Sequence, residues 1–481
     1  MTSIFHGVQI EEVATSIIPP RVISAAIPFV VGVAPIHLSG SVRAEVTNVP
    51  VLVTSYEDFV EKFGSSELAK YTLCEFANVF FRLYGVGPAV IVNVMDVTTH
   101  GTPVADADAV LVDGEYTLDA DADIETLVVK DSDNDPTFTL NEDYLAAYNS
   151  DGQIVITRIE GGLIPADDSA LHLDYTAMGE TPCDSDDIIG GVVGGVNTGM
   201  ECIEDVYALH SLIPGLILAP GFSQDPEVGI VMAGKCEGLS SLFKCMAIVD
   251  VDSSVADSYD EVAAWKTANN YVSEYMVVCW PKAKLGDTSY WLSNHVAGRI
   301  AATDADNGNV PFVSPSNKML YVNGVVLASG ISPTMTFPIG DALNQQGIVT
   351  AMNFNGWRCW GNRTGAFPGN TDVKDAFLPI RRMMNWIGNS MVLLLWQKLD
   401  DPINHRTIET AVDSANQWLN GLIGRGAINA GKCVFLPDEN SAADLANGKV
   451  KLHLYVTPPA PAEQITIVLE YDVSGNEAIF N

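Results

Sequence analysis

Three stretches decide the fold: "LIPGLILAPG" (212–221), "CMAIVDVD" (245–252) and "YMVVCWPKA" (275–283). Each is a short apolar run rich in branched side chains and closed by proline, glycine or aspartate. Polar residues do not alternate along them, so neither face of such a strand meets water. That is the pattern of parallel strands covered on both sides by helices. Between them lie "PEVGIVMAGKCEGLSSLF" (226–243) and "SYDEVAAWKTANNYV" (258–272), which read as helical. Strand, helix and strand in alternation predict an α/β layer fold across residues 186–353.

The whole chain is too long for one core. Its 481 residues suggest about two to four domains. With 47% apolar and 18% charged residues it is a folded composition. The net charge of −35 excludes a global cationic footprint for nucleic acid. The start, "MTSIFHGVQIEEV", lacks a basic segment followed by an apolar one, so no signal peptide is expected. The longest apolar run, 22–38, is short for a membrane span and is interrupted by Pro28 and Pro35. A soluble protein without membrane insertion is expected. The eight cysteines form no CxxC pair and are read as scattered reduced thiols.

The charge is uneven. Residues 100–180 hold 19 acidic residues against Lys130 and Arg158, a net of −17. Their text alternates with period two between turn residues, as in "QIVITRI" and "ALHLDYTA". An inserted acidic β-sandwich over 97–183 is expected. Residues 357–432 carry nine basic against six acidic residues, the one sizeable cationic stretch, which suggests a surface facing something acidic.

Candidate chemistry is thin. "IGGVVGGVNTG" (189–199) has the glycine gap of a phosphate loop, but Val196 stands where the lysine belongs, so a glycine-rich entrance to a helix is the better reading. "DSDNDPTFTLNE" (131–142) spaces Asp131, Asp133, Asp135 and Glu142 like a calcium loop, yet Pro136 replaces the required glycine. His210 and Ser211 lack any nucleophile elbow. No catalytic, cofactor or metal residue is assigned. "FNGWRCWGNRTG" (354–365) concentrates tryptophan, arginine and asparagine around Cys359 and could be an active site or a structural loop.

Further on, "LPIRRMMNWIGNSMVLLLWQKLDD" (378–401) repeats Ile380, Met383, Met384, Ile387, Met391, Leu394 and Leu395 at helical spacing, predicting a buried stripe. Arg381 and Arg382 lie near its start, where the helix dipole disfavours cations, which hints at an anionic partner. A second helix is expected with Asp401 as N-cap, Pro402 at its first position and Gly424 at its end. At the chain ends, "GVQIEEV" (7–13) and "ITIVLEYDV" (465–473) read as strands beside the proline-stiffened "ATSIIPPRV" and "TPPAPAEQ". Regular end strands are a hazard unless something pairs with them, so they suit arms lent to a neighbour. The arm residues are Val8, Ile10 and Val13, and Ile465, Ile467, Leu469 and Tyr471.

Taken in order, "GVQIEEV", "FVVGVA", "PVLVTSYEDFVEKFG" and "FFRLYGVGPAVIVNV" resemble the N-terminal part of contractile phage tail sheath proteins. "DIIGGVVGGVNTGMECIEDV", "PGLILAPGFS" and "YMVVCWPKA" resemble that family's middle domain, and "LNQQGIVTAMNFNGWRCWGNRT", "IRRMMNWI", "GAINAGKCVFLPDENS" and "PPAPAEQITIVLEYD" its C-terminal domain. The resemblance covers nearly all the chain except 97–183. It implies an α/β multidomain subunit: an arm over 1–20, the first part of the core over 21–96, and the inserted sandwich over 97–183. A subtilisin-like α/β domain without a catalytic triad would follow over 184–354, then an α+β C-terminal domain with its terminal arm over 355–481. It implies a structural protein that is no enzyme and needs no cofactor. Its partners would be copies of itself in stacked six-fold rings, a tail tube protein, and baseplate and terminator proteins, with no direct nucleic acid. It would belong to a virion tail assembled in the host bacterial cytoplasm. Since the family places its C-terminal domain innermost, Arg381, Arg382 and Lys398 are expected to face the tube. Trp357, Arg358, Trp360, Asn362 and Arg363 become a structural junction. The competing readings are an α/β hydrolase and a static surface or adhesin subunit.

Overall fold

The computed structural model describes residues 24–66, 68, 70–119, 121–131, 137–165, 170–179 and 182–474. Val8, Ile10 and Val13 of the N-terminal arm, and Asp133 and Asp135 of the calcium-like loop, lie outside the described residues.

One eight-stranded sheet organises the core. Its strands are β1 (Pro28–Gly32), β2 (Val51–Val53), β3 (Ala89–Asn93), β4 (Leu216–Leu218), β5 (Met246–Asp250), β6 (Met276–Cys279), β7 (Ile348–Asn353) and β8 (Trp357–Trp360). Their spatial order is β8-β7-β6-β5-β4-β1-β3-β2. The six inner strands are parallel, with Val30 opposite Leu218 and Ile248 opposite Val277. The outermost strands, β2 and β8, run antiparallel to their neighbours. The three deciding runs are thus adjacent buried strands, β4, β5 and β6, every residue of which is buried. Helices α1 (Pro226–Glu237) and α2 (Leu292–Asp306) pack on this sheet and bury Met232, Cys236, Val296 and Ile300. Asp225 caps α1 by accepting from Glu227 N, and Pro226 occupies its first turn, where no partner for its nitrogen is needed.

Between β3 and β4 the chain leaves the sheet. Residues 101–178 form two three-stranded antiparallel sheets, one from strands 101–110, 122–131 and 170–178, the other from 115–117, 144–148 and 154–158. They enclose a separate apolar core that includes Leu118, Val129, Ile154, Ile156 and Leu173. The module rests on the main body through Arg43, whose guanidinium binds the buried Asp123 carboxylate (2.7 Å and 2.5 Å). Lys70 adds an ion pair to Asp121.

Helices α3 (Leu378–Trp396) and α4 (His405–Gly424) follow the sheet, and strands β9 (Ala430–Phe435) and β10 (Leu452–Thr457) form an antiparallel pair beside α4. The α4 start differs from expectation. Its cap is Asn404, whose side chain accepts from Thr407 N at 2.9 Å, leaving Asp401 and Pro402 in the preceding loop. The glycine-rich 189–199 stretch also differs. It is a two-stranded hairpin, Val192–Val193 against Val196–Asn197, because Gly194 (φ 60°) and Gly195 (φ 87°) supply the left-handed pair that a tight hairpin turn needs.

Candidate interaction site: the junction and the C-terminal arm

Strand β8 is held on both edges. Its partner on one side is β7, and on the other the segment 317–320, where Cys359 N donates to Lys318 O (2.9 Å) and Leu320 N to Trp357 O (2.8 Å). Arg358 donates from Nε to Phe354 O and from Nη1 to Asn317 O, each at 2.8 Å. Both acceptors are loop carbonyls that would otherwise lack a strand partner. Trp360 packs edge-on against Phe337, with ring centroids 5.8 Å apart. Asn362 accepts from Leu378 N through its carbonyl (2.7 Å) and from the Ser314 hydroxyl through its side chain. The Cys359 thiol is fully buried and burial pushes it up to about 12, so it is no nucleophile. Lys266 is a junction residue that lay unnoticed inside a helical stretch. Its buried ammonium donates to Gln346 O (2.6 Å) and Phe367 O (2.7 Å), and burial lowers it to about 8.

Arg363 links this junction to the end of the chain. Its guanidinium lies 3.8 Å from the Phe377 ring centroid and 4.4 Å from that of Phe367, and it binds Glu463 Oε2 at 2.5 Å. Among the described residues, the chain beyond Glu463 makes no strand. Ile465, Ile467, Val468 and Leu469 are 80%, 79%, 85% and 93% exposed, and Tyr471 is 76% exposed. Four large apolar side chains in sequence, open to water, mark a contact surface rather than a finished surface. On β9 the Asn416 side chain of α4 takes both the N–H (2.8 Å) and the carbonyl (2.9 Å) of Cys433, whereas β10 pairs with no strand on its outer side among the described residues.

The tube-facing expectation for Arg381 and Arg382 is overturned. Both are buried, at 8% and 3% exposure. Arg381 binds Asp375 and the Asn385 side chain, each at 3.0 Å. Arg382 forms a two-pronged pair with Asp304 and donates to Ala25 O. They tie α3 to the sheet body, and their charge is consumed inside the molecule. Lys398 is near the surface and pairs with Asp401 at 3.4 Å. The exposed cations of this stretch are Lys374, which pairs with Asp372 and Asp375, and Arg406, Arg425 and Lys432, on α4, just past its end and on β9.

The carboxyl edge of the parallel sheet, where open α/β folds hold ligands, is filled by its own side chains. Glu75 Oε1 accepts from Trp291 N (2.6 Å) and Asn294 Nδ2 (2.8 Å), and Asp250 Oδ1 accepts from Ser293 N (3.0 Å) at the start of α2. Burial pushes Glu75 up to about 8 and Asp250 up to about 6. His210 bonds the Pro50 carbonyl (2.7 Å) and His295 faces the Tyr84 hydroxyl (3.3 Å). No histidine among the described residues is hydrogen-bonded to a serine or cysteine. Where the module joins the body, His100, Cys183 and Asp187 place ligand-type atoms within 4.8 Å of one another. The His100 ring accepts Asp96 N–H at Nδ1 (3.0 Å), which puts its proton on Nε2, facing Asp187 (3.2 Å). A ring so held donates to a carboxylate and offers no lone pair to a metal.

This is the arrangement of an assembly subunit, with a closed sheet edge and an open arm. No family model matches the chain. It is 30% identical over 484 residues to the tail sheath protein of Burkholderia phage BcepMu, spanning 97% of this chain and 96% of that one. It is 25% identical over 326 residues to the tail sheath protein of Escherichia phage P2, covering 65% of this chain and 75% of that one. Among solved structures, it resembles the contracted sheath complex of the extracellular contractile injection system PVC. There the TM-score is 0.57 at 15% identity, over 99% of each chain. A chain of the anti-feeding prophage baseplate matches at TM-score 0.58 and 16% identity, over 98% of this chain and all of that one. The chain belongs to the tail sheath protein family.

Proposed function

We propose that this chain is the repeating subunit of a contractile sheath, stacked in six-fold rings around an inner tube and shortening to drive that tube through a cell envelope. Its partners are its own copies, the tube protein, and baseplate and terminator proteins, within a tail assembled in the bacterial cytoplasm. It is not an enzyme. Arm 1–20, core 21–96, acidic β-sandwich 97–183, subtilisin-like domain 184–354 and C-terminal domain 355–481 are its working parts.

The exposed apolar segment 465–473 carries this reading. It has the composition of a strand but no strand beside it among the described residues, while the outer side of β10 offers a free edge there. Lending it to the β10 edge of a neighbour pairs the backbone of both. Ile465, Ile467, Leu469 and Tyr471 are its pairing residues, with Val8, Ile10 and Val13 serving likewise at the other end. Main-chain bonds of this kind tolerate rotation of the bodies they connect, so neighbours stay joined as the sheath shortens. Arg406, Arg425 and Lys432 take the tube-facing role first expected of Arg381 and Arg382, and Lys398 keeps it. Trp357, Arg358, Trp360, Asn362 and Arg363 keep a structural role at the junction. Electron microscopy of the purified full chain tests the reading. Rings or tubes are expected, and a monodisperse particle at all concentrations and salts would overturn it.

A further inference from the structure

Cys236 and Cys245 place their sulfurs 3.3 Å apart, and both residues are buried. The same two residues share a main-chain bond, Cys245 N donating to Cys236 O at 3.2 Å. That bond keeps the two backbones adjacent, as bridged cysteines require. Cys236 lies in the last turn of α1 and Cys245 directly precedes β5. The turn between them is tight, with Ser240 and Ser241 at φ 49° and 57°. It is also the seat of α3: Asn389 bonds both the N–H and the carbonyl of Lys244 (2.9 Å and 2.8 Å), and Asn385 donates to Cys245 O (3.0 Å).

We infer that Cys236 and Cys245 are an oxidisable pair that closes to an internal disulfide once the protein leaves a reducing compartment, stapling the turn on which α3 sits. The oxidant is a small-molecule disulfide. One cysteine, as thiolate, attacks it, breaking its S–S bond and releasing one thiol. The second cysteine then attacks the protein sulfur of the mixed disulfide, forming the internal bond and releasing the second thiol. The two cysteine protons end on the two released thiols. Burial and the neighbouring thiol raise Cys236 well above the ordinary range, so the thiolate is scarce. The reaction is therefore slow and passes through opening of residues 238–244, where Leu242 is exposed.

Incubating the full chain with oxidised glutathione, then denaturing and alkylating, tests this directly. Lys235, Lys244 and Lys266 frame the pair, so trypsin releases 236–244 and 245–266. Those two peptides joined, lighter by two hydrogens than their sum, are expected. Full alkylation of both cysteines, or a glutathione adduct on either without the joined peptide, overturns the proposal. Oxidation is also expected to raise the thermal midpoint by a few degrees, as closing a short loop does. That rise should disappear in Cys245→Ala and persist in Cys74→Ala. An equal rise in Cys245→Ala would place the effect elsewhere and overturn the assignment.

Discussion

Arg382 grips Asp304 with two charge-assisted bonds, Nη1–Oδ1 at 3.1 Å and Nη2–Oδ2 at 2.5 Å, where the side chains are 2% and 1% exposed. The pair joins the second turn of α3 to the end of α2 across 78 residues of sequence. Removing one partner leaves the other charged and buried, which costs about 3–5 kcal/mol. Arg382→Glu is therefore expected to lower the urea midpoint sharply or abolish soluble expression. A variant that unfolds with the wild-type protein would show that the pair contributes little.

The carboxyl edge makes stability depend on pH. Glu75 is raised to about 8 from 4.5, and Asp250 to about 6 from 3.8, chiefly by burial. Below the unfolded values both states hold the proton and there is no penalty. As pH rises, the unfolded chain releases its protons first and the folded form loses ground, Asp250 between about 4 and 6 and Glu75 between about 4.5 and 8. Both groups thus make the fold more stable in mild acid than at pH 8, with Glu75 contributing on the order of 4 kcal/mol. Glu75→Gln keeps the acceptor for Trp291 N and Asn294 and removes the ionisation. Its urea midpoint should exceed the wild-type value at pH 8 and approach it near pH 4.5. Parallel curves for the two proteins across that range would contradict the assignment.

The parts legible in the sequence are those set by local pattern. Continuous apolar runs announced β4, β5 and β6, because a strand covered on both faces has no polar side to show. Arg381 and Arg382 were misplaced because their meaning lies in partners no local rule can find. Asp375 is six residues away and Asp304 seventy-eight. Two cations at a helix start call for an anion, but the helix dipole does not say whether that anion lies in the same chain. Asn385, Asn389 and Ser390 are buried too, so α3 presents a polar face to the body as well as an apolar stripe. The hairpin at 192–197 was missed because glycine pairs serve tight turns and helix entrances alike, and only the backbone angles distinguish them.

Arg363 fixes the point where the arm leaves the body. With side chains 19% and 34% exposed, its pair with Glu463 is worth less than about 1 kcal/mol, so global stability should barely move. Local order should move more. Glu463→Gln is expected to increase amide hydrogen exchange across 462–464 while leaving the exchange of α3 unchanged. Equal protection in the variant would mean that the prolines alone set the arm's direction.

The acidic module should be dispensable for folding. Its core is separate from the main one, and its charge suits a position at large radius, away from crowded copies. Removing 97–183 and rejoining the ends exposes Arg43 and Lys70, which lose Asp123 and Asp121, and takes only Met178, Val97 and Cys183 from the margin of the body's large apolar core. A soluble protein with a cooperative melt is expected. An insoluble product would show that the body needs the module to fold.

Ending the chain at Pro461 gives the sharpest test of the arm. Residues 465–473 bury almost nothing in their own chain, so their loss should leave the melting curve of the isolated subunit unchanged. If they pair with a neighbour, each main-chain bond contributes about 0.5–1.5 kcal/mol net, and several bonds repeated around a closed ring become decisive. The truncated protein should remain folded by circular dichroism yet form no tubes in micrographs where the full chain does. Single substitutions should show a graded effect. Leu469→Asp, at the most exposed apolar position, should shorten tubes without abolishing them, since the backbone bonds remain. Tubes of normal length from the Pro461 truncation would mean that the bodies hold the sheath together without the C-terminal arm.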